Sequence, residues 1–170
     1  MFRREYDCDM EIRLSSPFDS SQILDIYAKA RSFMAEQGNP TQWAKGAPNE
    51  ESLKKDLTNK ASYVVEDGGQ IVGTFALYHN DLNYEHIDGK WLNEEPYVVL
   101  HRMASIEKGV GSFILKKICS QYPNVRIDTH QDNIPMKNLL KKMGFVYCGI
   151  IPLLDKDNSL REAYMKISIL

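Results

Sequence analysis

The stretch YVVLHRMASIEKGVGSFILKKI, residues 97–118, decides the fold. Its first part, through Ser105, is an apolar run suited to a central strand, whereas VGSFILKKI spaces its apolar side chains as a helix does. Only EKGVGS separates the two. A helix start presents unpaired N–H groups and the positive end of the helix dipole. Gly109 and Gly111 let an anion approach the backbone without a Cβ in the way, Lys108 adds a positive charge and Ser112 a hydroxyl, while Glu107 opposes them. The segment therefore predicts a turn that holds a phosphate, although the same glycines also suit an ordinary strand-to-helix connection. No GKS or GKT follows, which excludes a P-loop, and the three spaced glycines of a dinucleotide fingerprint are absent.

Working outward, residues 1–9 are polar and read as a flexible N-terminal tail, with a single domain over residues 10–170. EIRLS alternates as a strand. A helix follows, capped at Asp19 or Ser20, with apolar positions Ile23, Ile26, Tyr27, Ala30, Phe33 and Met34, and Gly38 closes it. NPTQWAKGAPN is a loop, and Asn49 begins a second short helix. SYVVEDGGQIVGTFALY reads as a hairpin around DGGQ. Residues 80–95 form a polar excursion dotted with aromatics. After the 97–118 segment, NVRIDTH is a strand, DNIPMKNLLKKMG a helix ending on Gly144, and FVYCGII and REAYMKISI are the last strands. The order is β-α-α-β-β-β-α-β-α-β-β. Consecutive strands at both ends favour antiparallel pairing, and the two strand–helix–strand crossovers require parallel neighbours. The predicted fold class is α/β, a mixed, mostly antiparallel sheet with helices on both faces.

A chain of 170 residues can bury a substantial core, and 43% hydrophobic with 26% charged residues is ordinary for a globular protein. A net charge of -2 gives no general attraction to nucleic acid or an anionic membrane, so neither is an expected partner. Cys8, Cys119 and Cys148 are odd in number and lack metal-ligand spacing, so no metal site is expected. MFRREYDCDM leads into no apolar signal region and the longest apolar runs are far too short to span a bilayer, which makes a cytoplasmic location the expectation.

The pair HRMASIEKGVGSFIL and IDTHQDNIPMKNLLKKMGF resembles the two signature blocks of the GCN5-related N-acetyltransferase (GNAT) superfamily, and FMAEQGNPTQW with YEHIDGKWL resembles a bacterial small-molecule branch. The likeness covers residues 10–170. It implies an acyl-CoA N-acyltransferase fold whose parallel strand pair splays apart, and acetyl-CoA as co-substrate. The pyrophosphate would lie on the amides of Lys108, Gly109, Val110, Gly111 and Ser112. The pantetheine arm would run beside Met103, Ala104 and Ser105, with Asn133 at the start of the next helix also reaching the ligand. The sequence departs from the family pattern at Ile106, where Arg or Gln is usual, and at Glu107, where glycine is.

Direct acetyl transfer to an amine needs a base for the ammonium proton and a proton for the departing thiolate. The resemblance implies Asp128 as first candidate base, five residues before Asn133, and His101 is the alternative, on a face with Met103. His130 is a weaker third. The family's usual acid, a tyrosine, aligns with Leu140, which leaves Tyr147 or water for that role. Trp43, Tyr84 and Trp91 lie in the loops expected to wall the acceptor site, where large amphipathic rings serve either as loop anchors or as substrate contacts, and Glu94 and Glu95 could attract a cationic amine. The expected function is acetyl transfer to a primary amine of a small molecule, amino acid or peptide. The alternative is an acyl-CoA-binding sensor without strong catalysis. A homodimer through the last strands is a further expectation.

Overall fold

The computed structural model describes residues 9–170; apart from Asp9, the tail expected at residues 1–9 lies outside them. Eight strands and four longer helices follow in the order β1 (Met10–Leu14), α1 (Ser20–Glu36), α2 (Glu50–Thr58), β2 (Ser62–Asp67), β3 (Gln70–Tyr78), β4 (Asp88–Gly89), β5 (Val98–Ser105), α3 (Val110–Gln121), β6 (Asn124–Thr129), α4 (Ile134–Lys142), β7 (Val146–Leu153) and β8 (Ser159–Ile167). A short 3-10 turn, Leu82–His86, sits inside the polar excursion, and the two-residue β4 is an element that its polar composition gave no reason to expect. One sheet results, ordered β1-β2-β3-β5-β6-β8-β7-β4.

Its parallel pair is β5 with β6, and the two strands are registered only at Val98–Val125 and Val99–Arg126. Beyond these residues β5 continues to Ser105 and β6 to Thr129 without pairing to each other, so the sheet opens into a V. The second crossover corrects the expectation of two parallel pairs. β7 hairpins onto β8, and β8 inserts itself between β6 and β7, antiparallel to both. The α4 crossover therefore spans an intervening strand.

The two faces are covered differently. On one, α3 and α4 press Val110, Phe113, Ile114, Leu115, Ile118 and Leu140 onto Val65, Phe75, Val98, Leu100, Val125 and Ile127. On the other, Ile23, Ile26 and Tyr27 of α1 and Leu53 of α2 cover Val64 and Ile71. The same face, past the V, is closed by Tyr84 and Trp91 from the excursion over Val99, Ile151, Ala163 and Met165. Asn49 caps α2 by accepting from the Ser52 amide, and Asn133 caps α4 by accepting from the Met136 amide. The predicted apolar stripe of α1 is buried only in its first half. Phe33 is 52% exposed, and with Ala30 and Met34 it faces a groove. Among the described residues no helix is long and apolar enough to cross a membrane.

Candidate active site

The V between β5 and β6 opens onto a continuous channel. Its narrow part, about 190 Å³, runs from Gly111 along Met103, Ala104 and Ser105, between Ala30, Phe33 and Met34 of α1 and Pro135, Met136 and Leu139 of α4. It widens, past the shared residues Met34, Met103, Asn133 and Met136, into a cavity of about 430 Å³. Helix α3 begins at the outer end of the narrow part. Gly109 stands there with φ of +88°, a left-handed conformation that a side chain disfavours, and no side chain caps the helix. At Gly111 a Cβ would come within 3.0 Å of Leu139 Cδ2, so glycine keeps α3 and α4 close at the channel. Lys108 is exposed at the same end, whereas Val110 is buried in the core.

The strand that supplies this wall is bulged. Thr74 and Ala76 of β3 face Ala104 and His101 of β5, so three steps of β5 oppose two of β3. The extra residue is Arg102, with φ of +50°. What holds it is Asp56 of α2, fully buried, which accepts from Arg102 Nε at 2.7 Å, from Arg102 Nη2, and from the Tyr78 hydroxyl at 2.6 Å. Burial alone lowers the proton affinity of the Arg102 guanidinium, but Asp56 more than reverses this and raises it above its ordinary value. The bulge thus turns His101 and Met103 toward the channel from either side of a clamped residue.

Two of the residues that line the wide cavity are His101 and Asp128, one from each arm of the V. Asp81 joins them, and the nearest ligand atoms of the three lie within 4.8 Å of one another. His101 Nε2 is 2.9 Å from Asp81 Oδ2. Burial pushes the Asp81 carboxyl up, but the His101 hydrogen bond and charge and the Asn83 amide outweigh it and leave it below the usual carboxylate range. Asp128 Oδ2 accepts the Tyr84 hydroxyl at 2.8 Å. Burial, then the charges of Asp128 and Asp81, push the Tyr84 hydroxyl well above its ordinary value, so it stays a donor. Each carboxylate therefore has a fixed partner, and the imidazole, held through Nε2, keeps Nδ1 as its basic nitrogen when neutral.

Of the two roles open to Tyr84 and Trp91, loop anchor and substrate contact, their positions favour the anchor. They are 1% and 4% exposed, Trp91 Nε1 donates to the Tyr84 carbonyl at 3.0 Å, and neither borders the cavity. Large rings at the base of the excursion are anchors, and Tyr84 meets the site only through Asp128. Trp43 does line the cavity, edge-on to Tyr27 at 5.8 Å. Asn133 lines both parts of the channel, but its Nδ2 donates to Gln42 Oε1 at 2.9 Å. His130 braces a loop: Nε2 is 3.1 Å from Thr41 Oγ1, while Nδ1 accepts from the Asp132 amide. Leu140 is fully buried, and Tyr147 packs edge-on to Tyr164 away from the cavity. Glu94 points outward, 83% exposed, 3.7 Å from Arg126, and Glu95 is exposed.

Sequence reasoning missed Asp81, Asp56, Arg102 and Arg161. For Arg161 a signal existed. In REAYM the residues Arg161, Ala163 and Met165 share one face of β8, and all three are buried, so an arginine occupies an inward position of an apolar alternation.

Residues 22–145 match the model of the Acetyltransferase (GNAT) family. A GNAT-family acetyltransferase from Streptococcus agalactiae is 30% identical, with a TM-score of 0.86 over 95% of this chain and 96% of that one. A GNAT-family acetyltransferase from Listeria monocytogenes is 17% identical at a TM-score of 0.64, over 94% and 95%. Ard1 from Thermoplasma volcanium is 20% identical at 0.60, over 95% and 99%, and these last two likenesses concern the fold alone. No curated protein matches the chain in sequence.

Proposed function

Because the chain belongs to the GNAT family of acetyltransferases and is an acetyltransferase enzyme, we propose that it moves an acetyl group from acetyl-CoA to a primary amine of a small molecule or peptide by direct transfer. The observation that carries this reading is the continuous channel from the uncapped start of α3, through the V, to the cavity shared by Asp81, His101 and Asp128. A long, thin co-substrate with an anionic end suits that shape. The amides of residues 108–112 would take the pyrophosphate, and Met103, Ala104 and Ser105 would flank the pantetheine arm as one more strand edge. Acetyl-CoA supplies the activated acyl group, and the protein has to orient the amine, remove its proton and exclude water.

The two candidate bases take different parts in this proposal. Asp128, fixed by the Tyr84 hydroxyl, anchors the incoming ammonium. His101, oriented by Asp81 through Nε2, accepts the proton at Nδ1 once the amine is in place. A backbone N–H at the bulge, at Met103 or Ala104, faces the developing charge on the acyl oxygen. With Leu140 at the family's tyrosine position, the thiolate takes its proton from water or from the protonated His101.

The test has two stages. Acetyl-CoA should raise the melting temperature, and amines should then release free thiol. His101→Gln should remove most of the turnover and with it the acid limb of the kcat/KM profile, while Asp128→Asn should chiefly raise KM for the amine. Tight binding of acetyl-CoA without release over a broad amine panel would refute transfer and favour a binding module. Thiol release with an unaltered pH profile in H101Q would reject His101 as the base.

A further inference from the structure

Arg161 is 4% exposed, lies inside the sheet on β8, and lines the wide cavity. A buried guanidinium is normally matched by a carboxylate, because an unpaired buried charge is strongly unfavourable. Arg161 has none within ion-pair distance among the described residues, although Arg13, Arg102 and Arg126 each have one. Its Nη1 donates to Ser159 Oγ at 2.7 Å and to the Leu160 carbonyl at 2.9 Å, and Nη2 reaches the Gln42 carbonyl at 3.5 Å. These are neutral acceptors, and they leave Nε and one hydrogen of Nη2 without a protein partner among the described residues. Burial pushes the guanidinium down from its ordinary value, and the nearby Asp128 charge offsets only part of that fall. The group is a donor fork held at the wall of the cavity.

Its place relative to Asp128 is set by the sheet. Asp128 stands opposite Ala163, so Arg161 is the diagonal neighbour two residues along the same face. Such diagonals sit about 7–8 Å apart, with Cβ atoms somewhat closer, and among the described residues the two side chains line the cavity without forming an ion pair with each other. That leaves room for a small molecule with a cationic end on one group and an anionic end on the other. The remaining charges at the cavity are also mixed in sign: Asp81 and Asp155 against Lys55, Lys156 and Arg102, the last already paired with Asp56. A simple alkylamine or polyamine would leave the buried guanidinium unmatched. Resting on the acetyl-transfer reading above, we infer that the acceptor is an amino acid with a free carboxylate, whose amine is held at Asp128 and whose carboxylate is gripped by Arg161. Arg161 is then the residue that sets specificity, by the charge-assisted fork that suits a carboxylate.

Thiol release from acetyl-CoA, measured with free amino acids, their amides and the corresponding decarboxylated amines, tests this. Wild-type kcat/KM should favour the amino acid over its decarboxylated amine by at least about 30-fold, since a site built around a buried donor discriminates against a ligand lacking the acceptor. In Arg161→Gln that preference ratio should fall at least about tenfold, through KM of the amino acid more than kcat, with Arg161→Lys between the two. Both variants lose bonds to Ser159 and Leu160 at the start of β8, so their melting temperatures are compared. If neither folds, the wild-type preference ratio alone decides. A wild type that acetylates decarboxylated amines or amides as well as amino acids overturns this inference and leaves acetyl transfer standing. No thiol release with any amine overturns both.

Discussion

Asp56→Asn is the perturbation that best separates a built strand bulge from an incidental one. Arg102 adopts φ of +50° inside β5, which disfavours a residue with a side chain by about 1 kcal/mol. Asp56, with no exposed surface, accepts two guanidinium bonds and one phenol bond. Asparagine keeps the shape but replaces an acceptor with an NH2 group that faces other donors. Removing one partner of a buried ion pair lowers stability by about 3–5 kcal/mol. The Arg102 side chain is 26% exposed, so solvent screens part of that loss, and about 3 kcal/mol is the expected value. For a chain of this length the melting temperature should fall by about 6–12 °C. Urea unfolding should show the same loss as a lower midpoint with an unchanged slope. A second variant, D56N/R102G, removes both the stranded charge and the positive-φ penalty, and should recover at least half of the loss. Because His101 and Met103 flank the bulge, D56N should also lower kcat for acetyl transfer more than it raises KM for acetyl-CoA. Stability within about 1 kcal/mol of wild type would refute the clamp, as would full additivity in the double variant.

Three further outcomes follow from the same contacts. Asp19 accepts from Arg13 at 2.8 and 2.9 Å and from the Ser16 amide at 2.7 Å, and the Arg13 hydrogen bond first of all, against the opposing effect of burial, holds its carboxyl below the usual value. A depressed folded-state value means that this stability is present above about pH 4 and is lost as pH falls through the lower folded value. Asp19→Asn should therefore lower the melting temperature at pH 7 and flatten its decline below pH 4; a parallel shift at all pH values would exclude this linkage. Gly109→Ala meets no atom within 4 Å, so its effect comes from φ of +88° alone. It should lose about 1 kcal/mol in urea unfolding and raise KM for acetyl-CoA, and an unchanged KM would argue against an anion at this turn. Tyr84→Phe removes the donor to Asp128 while keeping the ring stacked on Tyr97 at 6.2 Å. KM for the amine should rise about 5- to 30-fold with modest change in stability, measured by thiol release and by thermal melting; unchanged kinetics would make the contact structural.

How far the sequence could be read depended on the range over which each feature is specified. The helix starts at Asn49 and Asn133, the DGGQ hairpin and the glycine entry to α3 rest on contacts within about four residues, and pattern reading reached all of them. The position of β8 depends on which strand edge is free when the chain returns, and alternation within REAYMKISI says nothing about that. The same limit explains why Asp56 and Arg102, 46 residues apart, could not be paired in advance. Asp81 looked like one more polar residue in an excursion until the fold set it 2.9 Å from His101.

Aromatic content is ambiguous in the opposite sense. Tyr84 and Trp91 are compatible in sequence with a binding wall or with loop anchors, and rings this large in a loop above a sheet are buried first, because each removes well over a hundred Å² from water. In REAYM the alternation marks Arg161 as inward-facing, but which acceptors meet it depends on strands and loops distant in sequence. The difference is physical. A buried aromatic is satisfied by burial itself, so its presence in a loop is weak evidence for a ligand. A buried guanidinium is satisfied only by an acceptor, and where the described residues offer neutral carbonyls and a hydroxyl but no carboxylate within ion-pair distance, the missing partner is information about what the cavity was shaped to receive.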